Sequence, residues 1–278
     1  MKNDLTVDND FFSVELIPDV VVLKIKDNPL YKLIDLQAKA ALFDCMEKIN
    51  NCDDIRVMVI LGSAKKPEYE ESIDFFRRIR GYATDRKSLH VKGDMPYWDA
   101  MVNLARFCNA VNQFVLKIVN FNKFVIHADS GLIISPFMNL SLACDYRIVG
   151  KNSSYKNLYL ELGLVPKGGS AFFLTRLIGY QNTLKVLLAD RAISADESLK
   201  LGIVDQVVPA GKLYETALKT ARRYAKFPRS SLTGIKSLIN SSTADLKYCL
   251  KREDEQLLYI INSCAFIDKI KASTVVAM

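Results

Sequence analysis

The sequence predicts an α/β (α+β) core followed by a helical C-terminal region, and three observations carry that reading. Short apolar runs of strand length alternate with segments of helical period through the first two-thirds of the chain. The last third keeps only the helical period, punctuated by Pro228 and by Ser/Thr clusters at Ser230 and Ser241. Of the 278 residues, 50% are hydrophobic and 25% charged, which supplies apolar material for a substantial core. The expected division is a core over 1–208 and a helical region over 209–278.

The elements follow in order. VVVLKIKD reads as a strand, closed by a turn at Asn28-Pro29, and Leu33 to Ile49 then carries apolar residues at helical spacing. IRVMVILGS is an apolar run ending in Gly62-Ser63, the pattern of a buried strand. Lys65 to Lys117 is charged and holds the sole tryptophan, Trp98; its clearest helical pattern runs from Trp98 to Val119. KFVIHADSG predicts a third strand, and MNLSLACD predicts a helix returning to the strand YRIVG.

Composition narrows the function classes. The 38 Lys+Arg against 31 Asp+Glu give a net charge of +7, spread along the chain as a solvated surface would spread it. Such an excess suits an anionic ligand, but no nucleic-acid motif accompanies it. The six cysteines form no CxxC pair and no metal-like cluster with the two histidines, so no metal site is expected. They read as small buried thiols in a reduced, cytoplasmic setting. The N-terminal MKNDLTVDND has no apolar signal core, and no apolar run approaches the roughly 20 residues of a membrane span.

Between Lys123 and Pro209 the words become specific. KFVIHADSG is similar to K-P-V-I-A-A-V-N-G, LSLACDYRIVGKNSSY to L-A-L-A-C-D-x-R-I-A-x-x-x-A-x-F, and LGLVPKGGS to L-G-x-x-P-G-x-G-G. LTRLIGYQNTLKVLLADRAISADESLKLGIVDQVVP follows the same pattern almost without a gap. In this order and spacing the chain resembles the crotonase (enoyl-CoA hydratase/isomerase) superfamily, from about Val20 to Val208. The resemblance implies a spiral of ββα units and a C-terminal helical region that builds trimers, often paired into hexamers. It also implies a site for an acyl-CoA thioester, with coenzyme A entering as substrate or ligand and no resident cofactor. In that site two backbone N–H groups hold the thioester oxygen while an enolate-like charge develops.

Four positions depart from that pattern. SGLIISPFMNLSLACD, Ser130 to Asp145, aligns with N-G-x-x-x-G-G-G-x-x-L-x-x-A-C-D, so three glycines become Ser135, Pro136 and Phe137. The middle one supplies an oxyanion donor in the family, and proline has no N–H to give, although its fixed φ suits a first helical turn. Losing one such donor costs about 2.7–4 kcal/mol, roughly 10²–10³ in rate. Ser135 or Phe137 would have to substitute, and Phe137 also fills space beside the substrate. The other donor falls near Tyr69, inside SAKKPEYEESIDFF, where the A-G-x-D word is absent. Its acidic cluster of Glu68, Glu70, Glu71 and Asp74 reads as a solvated helix start or as the source of one base.

The two hydratase carboxylates align with Asn139 and Tyr159. Neither cycles a proton readily near neutral pH. Glu161 would share the face of Tyr159 if NLYLELG is a strand. His127 and Asp129 share one face of KFVIHADSG, as core residues or as an acid/base pair. His90 reads as exposed, and Lys167 replaces a family glycine, either meeting a phosphate or facing solvent. Two functions are therefore carried forward: an acyl-CoA-binding module or partner subunit, engaging a protein partner or further copies of itself, and an enzyme of altered chemistry on a thioester or related carbonyl compound.

Overall fold

The computed structural model describes residues 5–26, 29–63, 75, 97–135 and 137–263, with 97–101 and 242 described by backbone alone. A six-stranded sheet runs β1 (Phe12–Ile17), β2 (Val20–Ile25), β3 (Val57–Leu61), β4 (Phe124–Asp129), β6 (Tyr146–Gly150), β9 (Gln206–Val208) in spatial order. β1 and β2 form an antiparallel hairpin, and every other neighbour pair in this sheet is parallel. Parallel strands require crossovers. Helices α1 (Pro29–Ile34) and α2 (Leu36–Asn51) cross from β2 to β3, and α3 (Tyr97–Val119) crosses from β3 to β4. Pro29 sits at the first position of α1, where its missing N–H costs nothing. A small second sheet, β5 (Leu132–Ile134), β7 (Ser154–Lys156), β8 (Ile193–Ser194), stands beside the large one.

The strands are buried on both faces because apolar residues fill both parities. Val21 and Leu23, Met58 and Ile60, and Val125 point into the main core under α2 and α3. Their neighbours Val20, Val22, Val57, Val59, Ile126 and Ala128 face the other way. Helix α8 (Leu213–Ala225) covers that second face with Ala217, Ala221 and Ala225, small enough to let the helix lie close to the sheet. Tyr224 stacks on Phe124 at 4.0 Å between ring centroids. On its outer side, α8 and its approach gather Lys212, Lys219, Arg222, Arg223 and Lys226 along one groove, so part of the positive excess is concentrated there rather than evenly spread.

Three further helices complete the frame: α6 (Ser170–Leu187), α9 (Arg229–Ile239) and α10 (Thr243–Ile261). α10 buries Leu246, Leu250, Leu257 and Ile261 in the main core, beside residues of α2 and α3. Cys45, Cys108 and Cys144 are buried, and burial lifts their thiols to about 11, 12 and 12. They are packing groups rather than nucleophiles.

Candidate functional site

The stretch Ser130 to Asp145 starts from the end of β4. Gly131, at φ 81°, turns the chain into β5, and the short helix α4 (Phe137–Ser141) follows. Asp145 closes the segment: its Oδ2 accepts from the Val125 N–H at 2.7 Å and from Lys236 Nζ at 2.7 Å. The acidic residue of the LACD word is thus a tie between strand and α9. Tyr69 and Pro136, aligned with the two oxyanion donors, lie outside the described residues, as do Glu68, Glu70, Glu71, Asp74 and His90.

Asn139 is buried in α4, and its Nδ2 donates to the Lys167 carbonyl at 2.8 Å. Tyr159 lies in helix α5 (Leu158–Glu161), wholly buried in the main core. Burial first, then the neighbouring Cys108 and Glu253, raises its phenol well above 10. This corrects the strand reading of NLYLELG. In a helix, residues two apart point about 200° apart around the axis, so Glu161 leaves the face of Tyr159; it pairs with Lys156 at 3.1 Å.

Lys167 corrects a second expectation, because it meets neither phosphate nor solvent. Its side chain is fully buried; Nζ lies 3.1 Å from Asp254 Oδ1 and 3.6 Å from Glu253 Oε2, and it donates to Asn112. Glu253 in turn accepts from the N–H groups of Gly168 (2.9 Å) and Gly169 (3.0 Å) at the start of α6. Both glycines have positive φ (99° and 77°), which the turn demands. The VPKGGS word is therefore a buried ionic lock between α6 and α10. Glu253 was missed in the sequence, yet it left a signal: it falls among Leu246, Leu250, Leu257 and Ile261 on the apolar stripe of α10.

Ser135 also departs from its expected part as a substitute donor. Its N–H already donates to the Lys156 carbonyl at 3.1 Å, and its Oγ faces Asn157 Oδ1 at 3.4 Å. It borders a crevice of about 10 Å³ that also touches Asn139, Tyr155 and Asn157, separate from the main hollow.

That main hollow holds about 80 Å³ and is lined mostly by apolar side chains. His127 and Asp129 line it from β4, Gly62 and Ser63 from the end of β3, and Phe137 and Ser141 from α4. His127 Nε2 stands 4.0 Å from Asp129 Oδ2, and both side chains are buried. Asp129 Oδ1 accepts from the Ser130 N–H at 2.9 Å. Gly62 makes the arrangement feasible, since a Cβ there would lie 2.1 Å from Asp129 Oδ1. Phe137 is half-buried and bridges this hollow to the neighbouring apolar cluster. The structure therefore brings His127, Asp129 and Phe137 to one hollow and assigns Asn139, Tyr159 and Lys167 to packing around the ionic lock. Among the described residues no cluster of three or more metal-ligating side chains occurs.

The spiral of strands and crossover helices defines a crotonase-fold protein. An enoyl-CoA hydratase from Bacillus halodurans has the same fold, at a TM-score of 0.74 and 21% identity, with 94% of this chain and 99% of that one covered. Residues 100–268 match the family model described as Enoyl-CoA hydratase/isomerase, and the chain belongs to that family. Among curated relatives, 1,2-epoxyphenylacetyl-CoA isomerase of Escherichia coli (strain K12) is 26% identical over 223 residues, covering 78% of each chain. A 4-chlorobenzoyl coenzyme A dehalogenase-2 of Arthrobacter sp is 19% identical over 259 residues, covering 93% of this chain and 88% of the relative. No described helix is long and apolar enough to cross a membrane.

Proposed function

We propose that this chain binds an acyl-CoA thioester or a related carbonyl ligand without catalysing ordinary enoyl hydration. One observation carries the reading. The two side chains aligned with the family's carboxylates are fixed in roles that cannot shuttle protons: Asn139 donates to the Lys167 carbonyl, and Tyr159 is a buried phenol held in its neutral form. General acid/base catalysis needs groups whose pKa lies near the working pH. Pro136 brings no N–H to the place where the family word puts a donor. Isothermal titration tests the binding half: CoA thioesters bind, and Pro136→Gly alone leaves the protein unable to hydrate crotonyl-CoA. Heat signals absent for every thioester would refute it.

The same proposal includes self-assembly as a trimer or a pair of trimers, in a reduced cytoplasmic setting. Phe227, Ile235, Leu238 and Ile239 are exposed beside a cleft between α6 and α9, a concentration of apolar surface that supports burial against another copy. Light scattering at micromolar concentration checks it; a monomer would contradict it. A second reading, altered chemistry on the same ligand class, is supported by the His127/Asp129 pair in the hollow. In it, His127 would move a proton at the ligand and Asp129 would orient its ring.

A further inference from the structure

We propose that the hollow beside β4 selects a short acyl group that carries a hydrogen-bonding atom beyond its carbonyl, with His127 and Asp129 as the residues that recognise that atom. This rests on the reading above that the chain binds a CoA thioester or related carbonyl compound, and it names which members of that class fit.

Size comes first. A water occupies about 30 Å³ of liquid, and an apolar cavity near 150 Å³ takes one benzene. The hollow holds about 80 Å³. Three or four non-hydrogen atoms fit; a phenyl ring does not without displacing side chains. Enlargement is resisted on two sides, because Phe137 is wedged between two apolar clusters and Ile60 is fixed in the sheet.

Polarity comes second. His127 and Asp129 stand at positions where the family word K-P-V-I-A-A-V-N-G has alanine and valine, so the hollow gains two titratable groups on one strand face. The Asp129 carboxylate accepts from the Ser130 N–H, and a carboxylate has lone pairs enough to accept from a ligand hydroxyl as well. The imidazole offers either a donor or an acceptor at each nitrogen. A wholly apolar acyl chain would desolvate these groups and return nothing, whereas a hydroxyl or keto oxygen at the third or fourth atom pairs with them. Sites built to hydrogen-bond a ligand group discriminate strongly against the analogue lacking it.

The experiment is a titration series on the full chain with CoA, butyryl-CoA, 3-hydroxybutyryl-CoA and phenylacetyl-CoA. The proposal expects 3-hydroxybutyryl-CoA to bind about tenfold to a hundredfold more tightly than butyryl-CoA, and phenylacetyl-CoA to bind no better than CoA itself. Asp129→Asn and His127→Asn, each near in volume to the original, should shrink the hydroxyl preference to within about threefold while leaving CoA affinity unchanged. Equal binding of the hydroxylated and plain acyl chains by the wild type would overturn the inference and leave the CoA reading intact. So would phenylacetyl-CoA binding more tightly than CoA. Absence of binding by all four would overturn both. The wild-type series decides even if a variant fails to fold.

Discussion

Two buried polar regions lie on the same side of the sheet and have opposite characters. Around Lys167 the charges meet one another: ammonium, two carboxylates, an amide and two glycine N–H groups close a network between α6 and α10. Around His127 and Asp129 the polar groups face a hollow with apolar walls. The first region has absorbed the positions aligned with the family's acid and base, since Asn139 hangs from the Lys167 carbonyl and Tyr159 feels Glu253. Buried ions paired with each other hold helices together. Buried ions beside space are available to a ligand.

The sharpest way to break this contrast is to remove the cation from the lock. Lys167→Met strands Glu253 and Asp254 and should cost about 3–5 kcal/mol, read by urea unfolding; a loss below 1 kcal/mol would mean the network contributes little. Gly62→Ala attacks the other region. Its new Cβ would strike the Asp129 carboxylate, and overpacking of this kind costs about 1–3 kcal/mol. The hydroxyl preference should vanish with it, while the ionic lock stays intact. Unchanged stability and unchanged preference would show that Asp129 moves aside freely.

The smallest expected effect is a pH slope. Glu253 has its carboxyl raised from the ordinary 4.5, by burial first, against the lowering pull of Lys167 and the glycine N–H groups. The folded state thus holds this proton more tightly than the unfolded chain does. The contribution is fully present below about 4.5 and is lost as pH rises through the raised folded value. Glu253→Gln should flatten the stability profile over that interval, measured by denaturation at stepped pH. A steeper profile in the variant would reverse the assignment.

Much of the frame was legible in the chain. β2, β3 and β4 are continuous apolar runs because both faces are buried, and α3 carries its period over 23 residues. The small second sheet was not, since strands of two or three residues leave no periodicity to detect. LYLE was read as a strand because four residues cannot distinguish a period of 2 from 3.6. Lys167 misled for a different reason: its partners come from α10, far along the chain, and only tertiary packing brings them to it. His127 and Asp129 were recognisable as a pair, because alternation along a strand sets both on one face. The hollow they border depends on Gly62 and Phe137, which no local pattern joins to them.

The account stands or falls on whether the family's hydration chemistry survives in this chain. The direct measurement is the loss of crotonyl-CoA's enoyl absorbance with micromolar protein, run beside calorimetry that verifies thioester binding. The account predicts binding with no detectable hydration over the background rate. Turnover in the ordinary enzyme range, about 1–10³ s⁻¹, would contradict it and would return the acid and base to residues other than Asn139 and Tyr159.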